Sequence, residues 1–146
     1  VNRLVITRGL PGCGKTTRAR AWVAIDPRTR CRVNRDDLRE MFHASRFTGI
    51  SECEEAVTEA QYAAIRTLLQ AGRDVVSDDT WLHQELFYRV RRVARSVGAE
   101  VEVWDLRGVP LSVCLERNAS RVPKIEIVPE AAIVRMHERY ILQLTI

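Results

Sequence analysis

Residues 9–17 read Gly-Leu-Pro-Gly-Cys-Gly-Lys-Thr-Thr, and they lie between an apolar run, RLVITR at 3–8, and a helix-forming run that begins at Lys15. Gly9 to Thr16 match G-x-x-x-x-G-K-[ST] at every fixed position. Each fixed type answers a physical need. Glycines let the backbone curl so that successive N–H groups point inward at phosphate oxygens. The helix that opens at Lys15 adds the positive end of its dipole. The lysine reaches β- and γ-phosphates, and the Thr16 hydroxyl is placed for Mg²⁺. A tight turn can carry such a string by chance, but a strand before it and a helix after it are the context the motif requires. Gly9, Gly12, Cys13, Gly14, Lys15, Thr16 and Thr17 are therefore expected to hold the phosphates of ATP or another nucleoside triphosphate, with Mg²⁺ on Thr16.

Strand-like and helix-like segments alternate along the rest of the chain. Short strands are expected at 3–8, 31–34, 74–78 and 100–106. Helices are expected from Lys15 to Ile25, through DDLREMFH, from Ser51 to a stop at Gly72, from His83 to a stop at Gly98, from Pro110 to Arg121, and from Pro129 to Gln143. Strand–helix alternation implies crossover connections and a parallel sheet. The 146 residues fit one P-loop α/β domain, 1–146. The chain stops just after an amphipathic helix, which suggests one domain of a longer polypeptide. It is 46% hydrophobic and 29% charged, within the range of a globular protein, and has no run of about 18 apolar residues. A net charge of +4 permits polyanion binding without arguing for it. Cys13, Cys31, Cys53 and Cys114 form no C-x-x-C pair, and a disulfide at Cys13 would obstruct the phosphate loop. A reduced cytoplasmic setting is the simpler reading.

The motif alone does not say what accepts the phosphoryl group. VNRDDLREMF, at 33–42, follows the second strand and so belongs at the carboxyl edge of the sheet beside the loop. Asp36 and Arg39 are three apart and share a helix face, whereas Asp36 and Asp37 are about 100° apart, so one of the two aspartates is expected to face the nucleotide. A carboxylate there can accept the proton of an attacking hydroxyl, and an arginine beside it can fork onto an anion. The same residues also suit a helix start that carries acids for its dipole and one ion pair.

LPGCGKTT, NRDDLR, SDDT at 77–80 and ERNASR at 116–121, in that order, resemble the kinase module of the phage polynucleotide kinase-phosphatases. The resemblance covers nearly the whole chain. It implies a P-loop NTPase kinase-like fold with strand order 2-3-1-4, helices on both faces and a helical lid. It also implies transfer of an NTP γ-phosphate to the 5′-hydroxyl end of RNA or DNA in end repair, within a phage-infected or bacterial cell. Carried over, Asp36 is the general base, and Arg39 binds the phosphate 3′ of the attacked nucleotide. Asp79 and Thr80 contribute on the acceptor side, while Arg117 and Arg121 form the lid over the donor phosphates, Arg121 stabilising transferred charge. In an extended strand Asp78 and Asp79 would point to opposite faces. Trp81 departs from the family's polar residue; it either stacks on an acceptor base or caps the sheet edge. VPKIEIVPE is longer and more apolar than the family's lid linker.

Arg117 and Arg121, four apart, also fit an exposed helix face, and RVRRVARS at 89–96 fits a solvated helix face better than a nucleic-acid track. His43, His83 and His137 have no metal spacing. The phosphatase motif D-x-D-G-T is absent from these residues, so a phosphatase domain is expected only in a longer chain. Two other functions fit the motif: a small-molecule kinase acting on a nucleoside, sugar or antibiotic hydroxyl, and an NTP-binding module without chemistry.

Overall fold

Leu4, Val5 and Ile6 are wholly buried, as befits a strand with neighbours on both sides and helices over both faces. They belong to β1 (Arg3–Arg8) in a computed structural model that describes residues 2–144. β1 pairs in parallel with β3 (Asp74–Ser77) and β4 (Glu100–Asp105), Leu4 lying opposite Val75 and Val101. β2 (Arg30–Val33) pairs in parallel with β3, so the order is β2-β3-β1-β4, as expected. The crossovers are α1 (Lys15–Ile25), the pair α2 (Arg35–His43) and α3 (Ser51–Gln70), and α4 (Gln84–Ser96). α5 (Leu111–Ala119) and α6 (Glu130–Met136) follow the sheet.

Period-two alternation divides β1 between two cores. Leu4 and Ile6 pack with Ile65, Leu69 and Val90 of α3 and α4, while Val5 packs with Ala19 of α1, Val76 and Trp104. A third cluster joins Leu10 and Cys13 of the loop to Cys114 of α5 and Ile133 of α6. The loop that should hold phosphate is thus clamped between sheet and terminal helices.

Some boundaries differ from expectation. β2 begins and ends one residue early, which frees Asn34 to cap α2: its Oδ1 accepts a hydrogen bond from the Asp37 N–H at 2.9 Å. β3 ends at Ser77, because the Thr7 hydroxyl of β1 captures the Asp79 carbonyl at 2.7 Å and draws the chain off the strand. α5 ends at Ala119, so Arg121 lies beyond the helix and does not share its face with Arg117. The last helix is α-helical only to Met136; a π-helical turn, His137–Ile141, and a 3₁₀ turn, Leu142–Leu144, continue it. Trp81 is a core residue, donating from Nε1 to Ser77 Oγ at 3.0 Å.

Candidate active site

The loop between β1 and α1 is held open by its own backbone. Gly12 and Gly14 have φ of +84° and +100°, the left-handed region where a side chain is strained. A Cβ on Gly12 would also sit 2.3 Å from the Cys114 carbonyl oxygen of α5. Lys15 is buried, and its Nζ donates to the carbonyls of Leu10 at 2.7 Å and Gly9 at 3.1 Å, with Cys13 Sγ at 3.6 Å. Burial pushes its pKa below the ordinary value; Cys13 and Asp79 oppose this and Arg121 reinforces it. Among the described residues no carboxylate pairs with this ammonium, so an anion brought to it would meet a poorly compensated positive charge.

A cleft of about 640 Å³ runs from this loop to α2. Gly12, Gly14, Lys15, Thr16 and Thr17 line one side; Asp36, Arg39, Asp79 and Thr80 line the other. Arg117 and Arg121 also face it. Gly9 and Cys13 do not line it; they anchor the loop, Gly9 N–H donating to the Thr80 carbonyl at 3.1 Å and Cys13 packing in the core beneath. Arg117 reaches the Cys13 carbonyl at 3.5 Å, and Arg121 donates to the Glu126 carbonyl at 3.0 Å. Asn118 fixes the segment between them and α6 by a reciprocal pair with Val128, at 2.7 and 2.9 Å.

Asp36 and Asp37 both face the cleft, and their hydrogen bonds separate them. Asp37 uses both oxygens: Oδ1 accepts from Arg46 and Oδ2 from Arg32, at 2.8 and 2.7 Å. Burial alone would raise its pKa, but these two guanidiniums more than offset it and hold the carboxyl below its ordinary value. Asp36 Oδ1 accepts from Arg39 at 2.5 Å, whereas among the described residues its Oδ2 has only Arg46, at 3.9 Å. Asp36 therefore keeps one oxygen able to accept a proton. Arg39 spends four of its five N–H bonds: a fork onto Glu54 at 2.8 and 2.9 Å, the Asp36 contact, and the Arg46 carbonyl at 2.8 Å.

Asp78 and Asp79 both line the cleft rather than opposite faces of a strand, since β3 has already ended. Asp79 accepts from the Arg35 backbone N–H at 2.9 Å and from Gln61 at 2.5 Å. Burial, aided by Asp78, pushes its pKa up to about 7, the Arg35 N–H opposing. Asp78 Oδ2 takes Arg32 at 2.8 Å, while its buried Oδ1 has no hydrogen-bond partner among the described residues. Thr16 and Asp78 both line this cleft, and hard oxygen donors suit Mg²⁺. No group of three His, Cys, Asp or Glu fit to hold a metal occurs among the described residues. Mg²⁺ here would depend on nucleotide oxygens and water as well as protein.

Arg46 and Glu54 escape a sequence reading. Arg46 sits in a polar loop without a motif, and only the left-handed Ala44 (φ 54°) that ends α2 turns it back onto Asp36 and Asp37. Glu54 looks like a dipole-favouring acid in the first turn of α3.

A model of the AAA domain family (AAA_33) matches residues 4–142. Among solved structures, a chain of the Pnkp1/Rnl/Hen1 RNA repair complex is 26% identical, with a TM-score of 0.83 over 99% of this chain and 44% of that one. Kti12 of Chaetomium thermophilum, in complex with ADP-AlF3, is 22% identical with a TM-score of 0.69 over 94% and 79%. The Mycobacterium tuberculosis APS kinase CysC, in complex with AMPPNP and APS, is 18% identical with a TM-score of 0.66 over 82% and 69%. The last two likenesses establish the fold alone. The chain spans less than half the length of the repair-complex chains it matches. No helix among the described residues is long and apolar enough to cross a membrane. By a family match that takes in nearly all of its length, the chain belongs to the AAA domain family, with the fold of a P-loop kinase.

Proposed function

We propose that the chain is a polynucleotide 5′-hydroxyl kinase, transferring the γ-phosphate of ATP or another NTP to the 5′-OH of RNA or DNA. One observation carries the reading: a single cleft joins the loop at Lys15 to Asp36, the carboxylate with an uncommitted oxygen. Asp36 Oδ2 takes the proton of the attacking hydroxyl. Lys15, with Arg117 and Arg121 from α5 and the turn after it, neutralises charge on the transferring group. Thr16, with Asp78 beside it, would hold Mg²⁺, which would supply charge neutralisation for the transferring phosphate. On the acceptor side Arg32, Arg35, Arg39 and Arg46 line the cleft with Asp36, Asp37, Glu54 and Asp78 as their counter-charges, so an anionic acceptor competes with these carboxylates for the guanidiniums. Arg39 orients Asp36 and has one N–H left for a phosphate 3′ of the attacked nucleotide; a full fork requires that phosphate to displace Glu54. The 26% identical chain of an RNA repair complex favours this acceptor class.

The test is transfer from labelled NTP with Mg²⁺ to a 5′-OH oligonucleotide, a nucleoside 3′-monophosphate, a bare nucleoside and a panel of sugars. The expected order is oligonucleotide, then 3′-monophosphate, then nucleoside. Transfer to a sugar with none to the oligonucleotide would establish a small-molecule kinase instead. Tight NTP binding with no transfer to any acceptor would leave a nucleotide-binding module.

A further inference from the structure

Beside the main cleft lies a second cavity of about 200 Å³. Thr58 and Tyr62 of α3 and Leu86 of α4 form its walls, with Trp81 and His83 from the segment between β3 and α4. Arg35, Asp79 and Thr80 border both cavities, and no residue of the Gly12–Thr17 loop borders the second. It therefore opens on the acceptor side of the site.

Its size, walls and rim restrict what fits. Sites for drug-sized ligands occupy about 300–1,000 Å³, so this one admits a single ring system and not a whole nucleotide. Indole, phenol, imidazole and leucine surround that space, surfaces on which a flat ring stacks. His83 also lines the space, and its Nδ1 is buried with no hydrogen-bond partner among the described residues. At the rim, Arg35 stands on the side of the main cleft. Arg89, three residues beyond Leu86 on the same face of α4, acts together with Arg35 and Arg92 on the Tyr62 phenol, their positive charges opposing the rise that burial gives its pKa. The far wall is rigid: the buried Arg8 of β1 donates to the Trp81 carbonyl at 2.9 Å and stacks 4.1 Å from the Phe87 ring. A preformed aromatic socket for one ring, with the Arg35 guanidinium at its border and Arg89 close to its Tyr62 wall, matches a flat heterocycle carried on a phosphodiester chain.

We propose that this cavity seats the nucleobase of the acceptor's 5′-terminal nucleotide, its backbone passing between Arg35 and Arg89. The inference rests on the polynucleotide kinase reading and adds a contact that senses the base. Two 5′-OH oligonucleotides that differ only in their terminal residue, one with a base and one abasic, provide the test. The expected kcat/KM is about 10-fold higher with the base, equivalent to about 1.4 kcal/mol. Leu86→Trp, which fills the socket, brings that ratio close to one, and His83→Ala lowers it. If wild type treats the two acceptors alike, the cavity holds no base and the proposal falls, while the polynucleotide kinase reading stands. If neither oligonucleotide is phosphorylated but a small hydroxyl compound is, that reading falls and takes this one with it. Should Leu86→Trp fail to fold, His83→Ala decides: an unchanged ratio overturns the placement.

Discussion

At the scale of single residues, neighbouring carboxylates of like chemistry separate by what their oxygens already touch. Asp36→Asn removes the free oxygen's basicity, and transfer is expected to slow about 10²- to 10⁴-fold with NTP binding retained. Asp37→Asn instead leaves Arg32 and Arg46 short of a counter-charge, so it should cost about 1–3 kcal/mol of stability and little of the rate. Single-turnover transfer and urea denaturation on both variants check the pair; the opposite pattern would exchange the roles. Asp79 gives a pH signature. Its carboxyl rises from an ordinary 3.8 to about 7 on folding. Between those values the folded chain holds a proton that the unfolded chain releases, so this group's contribution makes stability fall as pH rises, and the loss is complete above about pH 7. Asp79→Asn should therefore melt higher than wild type at pH 8 but not at pH 4. Equal differences at both pH values would mean that Asp79 is not desolvated as described.

Between elements, the coupling of α2 to α3 decides whether Asp36 is aimed. Glu54 of α3 holds Arg39 in a fork, and Arg39 in turn holds Asp36. Glu54→Ala strips a nearly buried guanidinium of its main partner, with an expected loss of about 1–3 kcal/mol in urea unfolding. The slower transfer that accompanies it should be partly restored by Glu54→Gln, which keeps an acceptor oxygen. This coupling marks where sequence reasoning stops. β1, the glycine loop and α1 are legible because an apolar run, a fixed spacing and a helix start are all local signals. The sheet order was reachable only through resemblance to known kinases. Arg46 was not legible, since its place depends on a left-handed Ala44 and on ion pairs formed after the chain returns. Nor was the end of α5 before Arg121, since the following proline, Pro123, allows a stop anywhere over the preceding residues.

For the molecule as a whole, the two sides of the cleft are stitched into one body. Thr7 of β1 holds the Asp79 carbonyl, and the Gly9 N–H holds Thr80, so the strand that leads into the glycine loop also fixes the Asp79–Thr80 segment. Nucleotide binding should therefore stabilise the entire domain. At 100 times its dissociation constant an NTP contributes about 2.7 kcal/mol. At roughly 2–4 °C per kcal/mol this is a rise of roughly 5–10 °C in Tm. Lys15→Ala should lose most of that rise while its ligand-free melt stays close to wild type, since the loss of two carbonyl hydrogen bonds is offset by no longer burying the ammonium charge. Thermal scans with and without NTP and Mg²⁺ measure both. An undiminished shift in Lys15→Ala would remove the lysine from the phosphate site.

Gly12 meets two demands at one atom. It must leave room for phosphate, and it must also leave room for α5, whose Cys114 carbonyl lies where a side chain would begin. The second demand persists with or without a nucleotide. A descendant of this chain that lost Asp36, the base we propose, and with it all selection for phosphate transfer, would still be unable to replace this glycine without loosening the packing of its terminal helices. The motif would then outlive the activity, kept by the fold alone, and among relatives of this chain a preserved glycine loop is a weaker witness to catalysis than a preserved Asp36.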